Sequence, residues 1–152
     1  MAEQGVLTAR GTVYPWHCDH MGHMNVMWYV GKCDEGTWHL FKMLGLTPSS
    51  LRERHTGMVA VHQEINYRRE MLAGAVYSIF SRVLEVRDKV IRFEHEMRDD
   101  ETGEVAATMT ITGVHIDTRE RKSRPLPPDV LERARQIMAS YGEFKGADDL
   151  DH

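Results

Sequence analysis

The chain has 152 residues, 41% hydrophobic and 28% charged, with a formal net charge of −4. Such a composition suits one globular domain over residues 1–152, gives no basic footprint for nucleic acid, and contains no apolar run long enough to cross a bilayer as a helix. Two cysteines, Cys18 and Cys33, lack disulfide-framework or metal-knuckle spacing, and ten methionines favour a reducing setting, so a cytoplasmic location is expected.

The first residues, Met1-Ala2-Glu3-Gln4-Gly5, show no basic region followed by an apolar run, so no secretory leader is expected. Over residues 7–14, Leu7, Ala9, Gly11 and Val13 alternate with Thr8, Arg10, Thr12 and Tyr14, which predicts a short strand. The stretch Trp16-His17-Cys18-Asp19-His20-Met21-Gly22-His23-Met24-Asn25 follows, and it reads as an active-site loop. If Asn25 caps the next helix, Gly22 can fold the chain so that the Asp19 carboxylate faces that helix N-terminus. A carboxylate beside unsatisfied backbone N–H groups pairs a nucleophile or base with a device that stabilises charge on a carbonyl oxygen. Acyl transfer or hydrolysis is the reaction class this suggests.

From Val26 to Leu44, the positions Val26, Val30, Cys33, Thr37, Leu40, Phe41 and Leu44 recur at helical spacing, and Gly45 marks a left-handed stop with Lys42 in the last turn. Gly31 and Gly36 inside that helix each cost about 1 kcal/mol against alanine, which calls for compensation by close packing on a sheet. Thr47-Pro48-Ser49-Ser50 predicts a turn and the cap of a short helix ending near residues 55–57. Strands are expected over residues 58–68, 75–86, 90–98 and 105–116. Arg87-Asp88-Lys89 and Asp99-Asp100-Glu101-Thr102-Gly103 supply hairpin turns, so the last three strands form an antiparallel meander. Val130, Leu131, Ala134, Ile137 and Met138 predict a terminal helix over residues 128–141, followed by a short acidic end at Asp148-Asp149-Leu150-Asp151. The fold class is α+β, a long central helix wrapped by an antiparallel sheet of about five strands.

This order of elements, with His17, Asp19, Gly22, His23, Asn25 and Tyr29 in an HxDxxGHxNxxxY pattern opening the long helix, resembles the hotdog-fold acyl-CoA thioesterases of the 4-hydroxybenzoyl-CoA thioesterase type. The likeness covers roughly residues 7–118. It implies that Asp19 is the catalytic carboxylate, nucleophile or base for water, and that an amide near Val26, flanked by Asn25 and Met27, polarises the thioester carbonyl. It further implies a homodimer or homotetramer, pantetheine entering at the subunit interface, CoA phosphates held by surface basic residues, and no cofactor beyond the CoA of the substrate. His23 and Asn25 beside the helix start depart from the benzoyl-CoA enzyme and leave the acyl group open.

Other residues have competing readings. His23 contacts the acyl or pantetheine segment, orients water, or simply hydrogen-bonds within the loop; His17 and Tyr29 are weaker substrate-binding candidates, Tyr29 reading more naturally as a core aromatic. His17, His20 and His23 recur every third residue beside Cys18, but the glycine and the cap argue for an irregular loop, and no metal is expected. In the second strand, Ala60, His62, Glu64, Asn66 and Arg68 alternate with Val59, Val61, Gln63, Ile65 and Tyr67; this strand is expected to pair with its twofold mate, so that His62, Glu64 and Asn66 border the partner's cleft. A cross-strand salt bridge to an arginine is the commoner role for a carboxylate placed like Glu64. Arg119, Arg121, Lys122 and Arg124 are candidates to clamp CoA phosphates, with Arg82, Arg87 and Lys89 behind them. Two alternatives to hydrolysis stay open. One is a hotdog hydratase using Asp19 with His23, and the other a non-catalytic acyl-CoA-binding protein, for which no DNA-binding extension precedes residue 7. No nucleic-acid or membrane partner is expected.

Overall fold

The Asn25 side chain accepts the Met27 N–H at 3.0 Å, and Gly45 turns the chain away at φ 88°, so the long helix α1 has the bounds its local chemistry predicts, Val26–Leu44. Losing that cap in Asn25→Ala should cost about 1 kcal/mol, read as a lowered urea midpoint at unchanged slope. In the computed structural model, which describes residues 5–140, α1 follows β1 (Val6–Thr12) and precedes α2 (Pro48–Arg54). Then come β2 (Thr56–Tyr67), β3 (Val76–Val86), β4 (Val90–Asp99), β5 (Val105–Asp117), the two-residue β6 (Lys122–Ser123) and α3 (Pro128–Ser140). Tyr141 and the acidic end, both part of the sequence reading, lie outside the described residues.

The strands form one antiparallel sheet in the order β1-β3-β4-β5-β2, with β6 hooked onto the end of β5. The predicted meander is β3-β4-β5, and this architecture, a long helix embraced by a curled sheet, is the hotdog arrangement expected. Tyr29, Cys33, Gly36, Thr37, Leu40, Phe41 and Leu44 form the buried stripe of α1 and pack on the concave face, where Ile79, Ile91, Phe93, Met97, Met109 and Ile111 are almost fully buried. Val130 and Ala134 of α3 close the core over β3.

The two helical glycines part company. A Cβ on Gly36 would come within 2.9 Å of Thr8 Oγ1, so that glycine is what lets α1 settle on the sheet, whereas one on Gly31 would meet nothing nearer than Trp28 at 3.8 Å. Val26, assigned by its spacing to the apolar stripe, is instead 58% exposed, because the first turn projects beyond the sheet.

The strict alternation expected for β2 fails at a bulge between Ala60 and His62. An extra residue, Val61, re-phases the strand, so Met58 and Ala60 share the inner face with Gln63, Ile65 and Tyr67. Thr56 and Tyr67 stand about 36 Å apart along it, at 3.3 Å per residue. β2 is also an edge: nothing pairs with its outer side among the described residues.

Candidate active site

The loop before α1 is built from short-range hydrogen bonds. Residues Pro15–His17 make one 3-10 turn, in which the Tyr14 N–H donates to His17 Nδ1 at 3.0 Å, and the His17 carbonyl accepts the Asn25 N–H at 2.8 Å. The His17 ring is buried against Trp28, 4.5 Å between centroids, and burial, aided by the charge of Lys32, lowers its pKa. His17 thus ties the loop to the helix start, with its ring buried rather than open to the cleft.

Beyond it, residues 18–24 fold into a tight hairpin-like turn. Cys18 and Met24 form an antiparallel bridge, the Asp19 N–H donates to the His23 carbonyl at 2.9 Å, and the Gly22 N–H returns to the Asp19 carbonyl at 3.0 Å. Gly22 sits at φ 81°, the left-handed conformation that glycine tolerates best. Asp19 Oδ1 accepts the Met21 N–H at 2.8 Å, the local aspartate turn bond. One oxygen is thus fixed by the turn, and the carboxylate has a second.

Asp19 lines a cleft of about 370 Å³ together with His23, Met24, Val26 and Tyr29 on one side and Tyr67, Arg68, Arg69 and Glu70 on the other. The Asn25 side chain already serves the Met27 N–H, and Trp28 N–H bonds the Asn25 carbonyl, so the Val26 N–H is the helix-start amide that finds no acceptor among the described residues. His23 Nε2 lies 3.1 Å from Glu70 Oε2. The Tyr29 hydroxyl donates to the Arg69 carbonyl at 3.1 Å, its ring meets Tyr67 edge-to-face at 5.2 Å, and burial raises its pKa. Tyr29 is both core aromatic and cleft wall.

The far wall was missed from sequence, because residues 67–70 contain no motif. They are brought to the loop by two long-range contacts, the bridge of His23 to Leu72 and the Met24 N–H to the Met71 carbonyl at 2.7 Å. Only Glu70, a carboxylate near a histidine-bearing loop, offers a signal, and it is not legible without that pairing.

The remaining candidates lie elsewhere. His62, Glu64 and Asn66 face outward on β2, opposite Thr112, Thr110 and Thr108, exposed and outside the cleft of their own chain. Arg119–Arg124 form the β5–β6 turn at the Thr56 end of β2. Arg119 bonds His55 Nε2 at 2.8 Å, and Arg124 reaches the Arg54 carbonyl and Asp117. Asp117 organises this turn by accepting the Glu120 and Arg119 N–H groups, which, with the nearby arginines, lower its pKa. Arg121, at φ 57°, and Lys122 are exposed. Arg87 bonds Glu85 at 2.6 Å, and Arg82 stands opposite Glu94 on the outer sheet face. The three loop histidines do not converge: His17 is buried, His20 exposed and His23 paired with Glu70.

Residues 13–134 match the model of the thioesterase-like superfamily. A curated relative from Agrobacterium fabrum, an L-carnitine dehydrogenase/betainyl-CoA thioesterase, is 27% identical over 121 residues, 80% of this chain and 25% of its own length. The chain thus spans about a quarter of that relative. Among solved structures, a Staphylococcus aureus protein in complex with CoA superposes with a TM-score of 0.88 at 16% identity, covering 97% of this chain and 94% of its own. A probable thioesterase from Escherichia coli does so at 0.74 and 24% identity, covering 88% and 99%. Those likenesses establish the fold.

Proposed function

The chain belongs to the thioesterase-like superfamily, and we propose that it hydrolyses an acyl-CoA, or a related pantetheine thioester, to the free acid and the thiol. One observation carries this reading: the Asp19 carboxylate and the start of α1, with its unserved Val26 N–H, line the same cleft. A thioester lacks the resonance of an amide and a thiolate leaves without a strong acid, so a carboxylate and an oxyanion donor suffice. In one route Asp19 attacks the carbonyl carbon, the C–S bond breaks to release CoA thiolate, and water hydrolyses the resulting anhydride, restoring the carboxylate. In the other, Asp19 takes a proton from water as the water oxygen attacks, and that proton passes to the departing sulfur. In both, the carbonyl oxygen rests on the Val26 N–H. His23, held by Glu70, borders the path of the thiol, and the reaction calls on no cofactor.

The exposed edge of β2, twelve residues long with Val59 and Val61 at the surface, supports pairing with a second copy. An antiparallel twofold pairing sets the Thr56 end of one copy beside the Tyr67 end of the other. Arg121 and Lys122 of one copy then approach the cleft of its partner, whereas the strand length, about 36 Å, separates them from the cleft of their own chain. Joint Arg121→Ala and Lys122→Ala replacement should raise KM for acyl-CoA several-fold, an effect absent with the corresponding acyl-pantetheine, which lacks the nucleotide phosphates.

A thiol-release assay across short, long, branched and aromatic acyl-CoAs tests the reading, with an enoyl-CoA hydration arm beside it. Release from at least one ester is expected. Hydration of the enoyl group without thiol release, or binding without turnover, would replace hydrolysis by one of its two alternatives.

A further inference from the structure

We propose that the far end of the acyl group is read by a cation-binding pocket at Asp34, Trp38 and Phe41, so that the preferred substrates have a positively charged, ammonium-type head. This rests on the hydrolytic reading of the Asp19 cleft. The pocket, about 150 Å³, lies between α1 and the inner faces of β2, β4 and β5. A cavity of that size takes a benzene-sized group, and a trimethylammonium head is of that order.

Its position follows from helix geometry. Val26, Val30, Asp34 and Trp38 recur every four residues along one ridge of α1; the first lines the cleft and the other three line the pocket. On β2 the same progression runs from Tyr67 in the cleft to Gln63 and Ala60 in the pocket. The Val61 bulge puts these β2 residues on the same inner face, so the acyl chain would run along that face from cleft to pocket. Val26 and Asp34 are about 12 Å apart along the axis at 1.5 Å per residue. Helical side chains lean towards the N-terminus, which shortens the reach to the carboxylate, so a head group separated from the carbonyl by a few methylenes arrives beside it.

The chemistry of the walls selects the charge. Trp38 and Phe41 meet edge-to-face at 6.3 Å and 73°, and Phe41 meets Phe93 likewise at 5.5 Å and 72°. Trp38 is 49% exposed, leaving indole surface for a ligand, and aromatic faces are electron-rich. Asp34 is exposed and forms no ion pair or hydrogen bond among the described residues, and Lys32, one nearby cation on α1, sits over the Trp28 ring, 5.8 Å from its centroid. A hydrocarbon head would desolvate the carboxylate and return nothing. A quaternary ammonium satisfies the carboxylate and the rings together.

The test compares 4-(trimethylammonio)butanoyl-CoA with its neutral isostere, 5,5-dimethylhexanoyl-CoA, in which carbon replaces nitrogen. In the unmodified protein kcat/KM should favour the cationic ester by about tenfold or more. Asp34→Asn and Trp38→Leu should each pull that ratio towards one, mainly through loss on the cationic ester. Equal rates on the two esters, or a preference that survives Asp34→Asn, overturns the pocket and leaves hydrolysis standing. Thiol release from other acyl-CoAs but from neither of these also overturns the pocket alone. If no acyl-CoA releases thiol, the hydrolytic reading falls and the pocket falls with it.

Discussion

Asp19→Asn should lower thiol release by about 10²- to 10⁴-fold, the range associated with removing a positioned acid or base, while the fold persists. Asparagine keeps the Oδ1 acceptor, so the Met21 N–H retains its 2.8 Å partner and the turn around Gly22 is preserved. What disappears is the negative charge, and with it both the attack on the carbonyl and the ability to take a proton from water. Asp19→Ala removes the charge and the turn bond together, so it should show the same loss of rate and, in addition, a lower melting temperature. Measuring kcat/KM and thermal unfolding on both variants separates chemistry from architecture. An Asn variant that turns over like the parent would remove the basis of the proposed mechanism.

The second large effect concerns a polar network under α1. His95 is fully buried, with Nε2 2.7 Å from Thr37 Oγ1 and Nδ1 2.6 Å from Ser81 Oγ, and Ser81 continues to Thr8 Oγ1 at 2.7 Å. Thr8 ends the chain by donating to the Ile79 carbonyl at 3.2 Å. With the proton on Nδ1, Ser81 and Thr8 each accept once and donate once while Thr37 donates to Nε2, so a neutral ring uses both of its nitrogens. His95→Leu fills most of the volume but removes the ring partners of Thr37 and Ser81, and should destabilise the protein at pH 7 by about 2–4 kcal/mol.

Burial pushes the His95 pKa down to about 3, below its ordinary 6.5. The unfolded chain therefore binds the extra proton first. The stability that depends on a neutral ring is complete above pH 6.5 and is lost as pH falls towards 3. Between pH 7 and pH 5 this amounts to about 2 kcal/mol. Glu94, pushed up to about 7 by burial on the other face of β4, works in the opposite sense: its contribution is complete below pH 4.5 and lost as pH rises through 7. Comparing parent and His95→Leu at each pH cancels the Glu94 term. The deficit of the variant should shrink by about 2 kcal/mol on going from pH 7 to pH 5, as read from urea unfolding. A deficit that does not change with pH would mean that the ring is not kept neutral by the fold.

Much of the fold was legible from residues close in sequence. Asn25 and Gly45 bracket α1, Thr47 caps α2 by accepting the Ser50 N–H, and the turns at 87–89 and 99–103 join the strands of the meander. The candidate acid and the helix start were legible for the same reason, since Asp19, Gly22 and Asn25 are coupled through hydrogen bonds spanning a few residues. A motif position alone does not tell whether the His17 ring holds the loop or touches substrate. Burial decides between those roles, and burial is not a local property.

The amino-acid order by itself determined the helices, the strands and the turn that brings Asp19 to the start of α1, since periodicity, caps and tight turns act over one or two turns of chain. Only the tertiary structure decided that residues 67–70 close the cleft, that Val61 re-phases β2, and that Asp34 lines one pocket with Trp38 and Phe41 of its own helix and Phe93 of β4. Those outcomes depend on which distant surfaces exclude water together. Such a choice is made by the whole packed core and is written in no single segment.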